Sequence, residues 1–242
     1  MSNPLIHPNI TDAMRETVAR KATAVIDLLT GAASEFQPIA FASSMGAEDM
    51  VLTDLIRQHG IAIEIFTLDT GRLPTETYDL MARAEKHYDA RPVTWFPRHE
   101  AVERYVREQG INAFYESVDL RKACCAMRKV EPLERALAGK KAWVTGMRAQ
   151  QSATRADLPQ RDLDEGRGIV KFNPLSDWTE REVWVYIHTH GVPYNELHER
   201  FYPSIGCQPC TRAISPGEDI RAGRWWWENP ESKECGLHVK AD

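Results

Sequence analysis

A parallel β-sheet with helices on both faces, followed by an irregular Cys/Trp-rich C-terminal segment, is the α/β fold class this sequence predicts. Three observations predict it. Short runs rich in Val, Ile and Phe recur at 38–42, 61–68, 93–96, 141–145 and 169–172. Between them lie longer stretches with apolar residues at helical spacing, and such alternation signals βαβ units. Beyond Gly191 the periodicity stops and Gly, Pro, Trp and Cys crowd together. The chain therefore reads as an α/β domain over 1–190 and a C-terminal segment over 191–242, one functional unit.

Each element has its own local cause. Thr11 and Asp12 cap a first helix whose stripe runs Val18, Ala22, Val25, Ile26 and Leu29, with Gly31 as its expected stop. Pro38–Ala42 reads as a buried strand entering the small-residue turn Ser43–Ala47. Glu48 and Asp49 open the next helix, where acidic residues suit the first turn. Ile61–Leu68 is the clearest strand and ends in the turn Asp69–Arg72. Pro74 sits near the start of a third helix. Val93–Phe96 is a strand, followed by a helix from about Glu100 to Gln109. Asp119–Leu137 reads as helical, and Pro132 inside it predicts a kink or two helices. Lys141–Thr145 is a strand. Gln150–Gly168, with its charges, reads as a loop, and Ile169–Phe172 as the last strand. Thr179 with Glu182 forms a capping box for a helix running to His190. In such sheets ligands bind beyond the carboxyl ends of the strands, so Ser43–Gly46, Asp69–Arg72 and Gly146–Arg148 are expected to converge on one crevice.

The bulk composition narrows the function. Lys and Arg total 30 against 35 acidic residues, a formal charge of −5, which argues against an extended nucleic-acid surface. No apolar run approaches the roughly 20 residues of a membrane span. No secretion signal stands at the N-terminus. Five cysteines, two of them adjacent, argue against a disulfide framework and for a reducing cytoplasm.

Those cysteines divide four plus one. Cys124-Cys125 and Cys207-x-x-Cys210 are two tight pairs, and Cys235 stands alone. Two pairs of thiols suggest one zinc or iron–sulfur site. Adjacent cysteines on a helix point roughly 100° apart, which is awkward for one small ion and easier for a cluster with separated metal corners. The alternative is a set of buried, inert thiols. Cys235 has little apolar surrounding. A thiol becomes a nucleophile as thiolate, helped by nearby positive charge, and Lys233 and His238 are close in sequence; otherwise it is an incidental thiol on a terminal tail.

The runs Lys122-Ala-Cys-Cys-Ala-Met-Arg-Lys129, Gly206-Cys-Gln-Pro-Cys-Thr-Arg212, Gly223-Arg-Trp-Trp-Trp-Glu228 and Lys233-Glu-Cys-Gly-Leu-His238 together resemble the cluster-containing assimilatory adenylyl-sulfate reductases. Thr145–Arg155 and Leu68–Arg72 resemble further motifs of that family, and the likeness runs from about Phe41 to His238. The resemblance implies an adenine nucleotide alpha-hydrolase-like (Rossmann-like) fold and a [4Fe–4S] cluster on Cys124, Cys125, Cys207 and Cys210. It implies Cys235 as nucleophile, with Lys129 and His238 beside the reaction. Arg221 and Arg224 are implied at the sulfate, and Arg148, Gln151, Ser152 and Arg155 at the nucleotide end. Ser44 and Gly146 are expected among the substrate contacts, and Asp69 and Thr70 at ribose or phosphate. The implied substrate is adenosine 5′-phosphosulfate. The implied reductant is thioredoxin or glutaredoxin, because no second free cysteine remains to resolve an S-sulfocysteine. Self-association into a homo-oligomer is compatible with the sequence. One departure is that the Ser-Gly-Gly-x-Asp-Ser phosphate loop of the wider fold group is here Ser43-Ser-Met-Gly-Ala-Glu-Asp49, whose acids are expected to repel a triphosphate. Trp225–Trp227 reads as core and anchor, and His188 and His190 as structural or surface residues. Rival readings are the 3′-phosphorylated substrate, a zinc-stapled nucleotide- or RNA-binding protein, and a tRNA sulfur-transfer enzyme.

Overall fold

The computed structural model describes residue 3 and residues 6–151 and 158–229. Its sheet has six strands in the order β3-β2-β1-β4-β6-β5. They are β1 (Ile39–Ser43), β2 (Glu64–Leu68), β3 (Val93–Trp95), β4 (Ala142–Val144), β5 (Arg161–Asp164) and β6 (Ile169–Phe172). The helices are α1 (Asp12–Glu35), α2 (Ala47–Gln58), α3 (Thr75–Tyr88), α4 (His99–Gln109), α5 (Val118–Cys125), α6 (Glu131–Leu137) and α7 (Glu180–His190).

The centre of the sheet is parallel, with Phe41 of β1 opposite Ile65 of β2 on one side and Val144 of β4 on the other. Side chains alternate between faces as a strand requires. Ile39 and Phe41 join the core beneath α1, α2 and α7, with Leu29, Leu52 and Val183. Ala40, Phe66 and Trp143 turn to the opposite face and pack on Leu133, Ala136 and Leu137 of α6. Both faces are thus covered, and near-continuous apolar strands follow from that.

Two expectations are corrected. The stretch 161–164 is a strand, β5, pairing antiparallel with β6 (Arg161 opposite Phe172), so the sheet is not wholly parallel. Its side chains are mostly exposed and charged, so no apolar alternation marks it, and charge is what an edge strand tolerates. Arg161 pairs with Glu35 at 3.0 Å, and Arg167, just beyond it, with Glu134 at 2.7 Å. Secondly, α1 runs through Gly31 to Glu35 because Ala32 and Ala33 are buried against the core; tertiary packing offsets the roughly 1 kcal/mol helical cost of one glycine. The expected division of 119–137 into two helices is present: α5 and α6 are joined by a π-helical turn, Ala126–Val130, in which Glu131 N–H reaches back to Ala126 O. Pro132 lacks an N–H and its ring crowds the carbonyl four residues back, and a π-bulge is one way a helix accommodates that.

The capping box of α7 is present: Thr179 Oγ1 accepts from Glu182 N at 3.1 Å, and Glu182 Oε2 accepts from Thr179 N at 2.7 Å. Lys21 of α1 donates to the same carboxylate at 2.9 Å. Thr179→Ala is expected to lower stability by about 1 kcal/mol, read as a shift in urea midpoint at an unchanged slope.

Candidate active site

The three strand-end turns meet at one cavity of about 290 Å³. Ser43, Ser44 and Gly46 line it after β1, Leu68 and Thr70 after β2, and Gly146, Met147 and Arg148 after β4. Facing them are Lys129 from the π-turn, the run Pro203–Gly206, and Arg221 and Arg224. Sequence-distant cations therefore share one chamber with the strand ends.

Asp49 closes the first turn from within. It is 6% exposed, and its Oδ2 accepts from Ser44 N and from Ser44 Oγ, both at 2.6 Å. The backbone of Gly146 also bonds this carboxylate. Burial pushes the carboxyl up to about 6, against the lowering pull of those bonds. A Cβ on Gly146 would collide with Asp49 Oδ1, so glycine is required for the two turns to touch. The neighbouring Glu48 is ion-paired to Arg148 at 2.8 Å. The two acids thus act locally: one is neutralised, and the other fills the turn with the protein's own carboxylate.

Arg148 is 3% exposed and spans from Glu48 to the carbonyl of Trp178 at 3.4 Å. Nearby, Glu180 lines the same cavity, and burial raises its carboxyl, with Arg148 pulling the other way. His198 was not singled out from the sequence. It also lines the cavity, lies edge-on to Trp184 at 5.1 Å, and has neither ring nitrogen within hydrogen-bonding geometry of a described residue. Burial drives it down to about 4, although Glu48 and the Tyr202 backbone favour its protonated form. Nothing in its sequence neighbourhood marks it; a helix, α7, and a short 3₁₀ turn bring it to the cavity.

The four clustered cysteines come together beside this chamber, each with a polar or cationic neighbour. Thr70 Oγ1 lies 3.2 Å from Cys207 Sγ. Arg128 hydrogen-bonds Cys124, and Arg121 hydrogen-bonds Cys125. Cys210 feels Arg224 and Lys129. Burial raises the Cys124 thiol, and drives Cys210 up to about 12 with Cys207 and Cys125 adding to it. Sulfurs gathered among Arg121, Arg128, Lys129 and Arg224 are chemically suited to a group that binds thiolates. Among the described residues no group of three or more His, Cys, Asp or Glu side chains is placed to hold a metal ion.

Arg224 is held by its surroundings. Its guanidinium stacks on Trp225 at 4.7 Å, its Nη1 is within 3.4 Å of Ser204 Oγ, and its buried Nε has no partner among the described residues. A Cβ on Gly206 would strike this guanidinium. Trp225 is 2% exposed while Trp226 is 49% exposed, so the anchor is Trp225 and the triplet divides. Asp69 lies off the cavity wall: its Oδ1 accepts from Gly71 N at 2.7 Å and Tyr78 OH at 2.9 Å, shaping the turn. Lys129 follows Cys125 on a π-turn instead of an α-turn, and it stands on the cavity wall near Cys210. His188 bonds Ile6 O at 2.6 Å, a structural role. Cys235, His238, Ser152 and Arg155 lie outside the described residues.

The fold and site define a class. Residues 38–213 match the family model of the phosphoadenosine phosphosulfate reductase domain. Within that class the chain belongs to the adenosine 5′-phosphosulfate reductases, which are oxidoreductases. It is 58% identical to such a reductase from Allochromatium vinosum over 92% of this chain and 87% of the other. It is 54% identical to one from Burkholderia cepacia over 94% and 91%. Among solved structures, a phosphoadenylyl-sulfate reductase from Candida auris in a phosphate complex superposes with TM-score 0.68 and 26% identity, over 86% and 99% of the two chains. A Candida glabrata FMN adenylyltransferase shares the fold at TM-score 0.59 and 14% identity, over 98% and 80%. No helix among the described residues is long and apolar enough to cross a membrane.

The low position of His198 has a signed consequence. The fold refuses its proton, so its contribution to stability is complete above pH 6.5 and is lost as pH falls toward 4. His198→Gln should therefore remove acid sensitivity worth up to about 3 kcal/mol, measured as the difference in urea unfolding between pH 7.5 and pH 4.5 for the two proteins. Asp49, raised to about 6, has the opposite sign: its contribution is greatest below 3.8 and is lost as pH rises to 6. Gly146→Ala should cost about 1–3 kcal/mol of stability by overpacking against Asp49, read as a shift in urea midpoint.

Proposed function

We propose that this chain reduces adenosine 5′-phosphosulfate to sulfite and AMP, using Cys235 as the nucleophile, in assimilatory sulfate reduction and cysteine biosynthesis in the cytoplasm. The observation that carries this reading is the joining of a nucleotide-sized cavity to a cationic wall. Lys129, Arg221 and Arg224 face the strand-end turns across it, with the four cysteines beside them. A phosphosulfate bears two negative charges, and fixed cations match both it and the charge that grows on the leaving phosphate.

On this reading the Cys235 thiolate attacks the sulfur of the phosphosulfate. The new S–S bond forms as the S–O bond to AMP breaks, and AMP leaves with the electron pair. The product is an S-sulfocysteine. One thiolate of thioredoxin or glutaredoxin then attacks the Cys235 sulfur and releases sulfite. The partner's second thiolate attacks its own mixed disulfide, which frees Cys235 and leaves the partner oxidised. Two electrons thus pass from the dithiol to sulfur. Lys129 and the two arginines bind and orient the sulfate end. Ser44, Gly146 and Arg148 shape the nucleotide end, with Arg155 of the same run. Asp69 acts through its turn. His238, three residues after Cys235, supports the thiolate. Cys124, Cys125, Cys207 and Cys210 would hold a [4Fe–4S] cluster, which when bound supplies negative charge and rigidity to the wall that carries Lys129.

The likeness to a phosphoadenylyl-sulfate reductase supports one second reading, activity on the 3′-phosphorylated nucleotide. Competition between the two nucleotides in one assay decides it, and a strong preference for the 3′-phosphate would replace the first reading. For the mechanism, the chain is mixed anaerobically with adenosine 5′-phosphosulfate and no thiol, then digested and weighed by mass spectrometry. One sulfo group on Cys235 and none on the other four cysteines is expected. Cys235→Ser should stay brown and lose sulfite production by at least about 10³-fold, the order of loss seen when a catalytic nucleophile is removed. A colourless protein with stoichiometric zinc, or a Cys235→Ser variant that still makes sulfite, would overturn the proposal.

A further inference from the structure

Glu228 is a component of the cysteine neighbourhood for which the reaction sequence above has no role. Its side chain is 3% exposed. It accepts from Arg121 Nε at 2.8 Å and from Nη2 at 2.7 Å, the two-pronged geometry of a strong ion pair. Arg121 is 0% exposed and lies one helical turn before Cys125 on α5. The same guanidinium hydrogen-bonds the Cys125 sulfur and lies 4.8 Å from the centre of the Trp225 ring. Trp225 N–H in turn donates to Cys210 O at 3.1 Å. One buried network therefore touches a cysteine of each pair and a carboxylate seven positions before Cys235 (235 − 228).

A second arginine of this shell provides a contrast. Arg128, the donor to Cys124, is held by a backbone carbonyl, Thr70 O at 2.6 Å. Arg121 is held by a full counter-charge. In a site removed from water that difference is large, because charge interactions are screened least there. The positive charge that Arg121 presents to Cys125 is what Glu228 leaves uncompensated. Removing the carboxylate's charge while keeping its shape would free the guanidinium to draw more strongly on the sulfur. Hydrogen bonds and charge at ligating sulfurs are the levers by which a protein adjusts an iron–sulfur centre.

We propose that Glu228 is a positioning residue that sets how much of Arg121's positive charge reaches Cys125, so that the C-terminal segment tunes the electrostatics of the four-cysteine site. This rests on the reading that those cysteines hold an iron–sulfur cluster. The direction is defined: a greater pull on the Cys125 sulfur weakens its bond to iron, and a lesser pull strengthens it.

The test uses anaerobic holoenzyme of the wild type, Glu228→Gln, Glu228→Asp, Arg121→Gln and the Arg121→Gln/Glu228→Gln double variant. Iron and acid-labile sulfide are measured first, then the iron–thiolate stretching bands by resonance Raman. Glu228→Gln should shift a thiolate band to lower frequency and Arg121→Gln to higher. Glu228→Asp should stay near the wild type. In the double variant the Glu228 change should have no effect beyond that of Arg121→Gln, since its action runs through the guanidinium. A pair with a purely structural role would lower melting temperatures and leave the bands of every loaded variant in place, and that result would overturn the proposal. Should Arg121→Gln fail to fold, the Gln and Asp variants of Glu228 still decide it, because they differ in charge. A wild type without iron would overturn the cluster reading and this proposal together, whereas unmoved bands in an iron-loaded protein would overturn this proposal alone.

Discussion

Positive charge fixed out of water, against sulfur and beside a nucleotide cavity, is the constraint on which this structure depends. Arg121 is wholly buried and Arg128 nearly so. Isolated buried cations are costly, and each persists only where its hydrogen bonds and counter-charges are supplied. The fold supplies them from far along the chain. Glu228 neutralises Arg121, Thr70 O accepts from Arg128, and Glu48 neutralises Arg148 at the opposite end of the cavity. The sheet brings the strand ends together, and the irregular run after Gly191 folds across them to complete the polar wall.

That run is tied down by hydrogen bonds as well as by the burial of Val192, Leu197, Ile214 and Trp225. Gln208 N donates to Arg72 O at 2.8 Å, and Arg212 N to Gly223 O at 3.0 Å. Tyr115 OH donates to Pro209 O at 2.8 Å. These bonds place Cys207 and Cys210 opposite the helix that carries Cys124 and Cys125. Trp225 contributes a second layer, since Arg121 and Arg224 both rest on its ring. Its backbone takes a positive φ of 39°, unusual for a large side chain. The ring that orients the cavity arginine is thereby also the ring that meets the buried ion pair.

The first turn is organised by the protein's own carboxylate. Asp49 gathers the donors of Ser44 and reaches Gly146, so the β1 and β4 turns are locked together without ligand. This preorganisation leaves Lys129, Arg221 and Arg224 facing the turns across the cavity. It also explains why small residues occupy both turns: any side chain at Gly146 would break the lock.

Much of this was legible in the residues themselves. Alternating apolar runs determined the strands and helices, because each period reports one repeating backbone geometry. The capping box of Thr179 and Glu182, the four-plus-one division of the cysteines and the meeting of three strand-end turns were readable for the same local reason. Where charge replaced apolar alternation, as in β5, and where packing carried α1 past Gly31, local signals misled. The Thr70–Cys207 contact, the splitting of Trp225 from Trp226, the burial of His198 and the Arg121–Glu228 pair were decided by tertiary structure alone. Each depends on groups tens to more than a hundred residues apart meeting in a space without water. A sequence states which charges exist, but only the fold determines which of them lose solvent and must find one another.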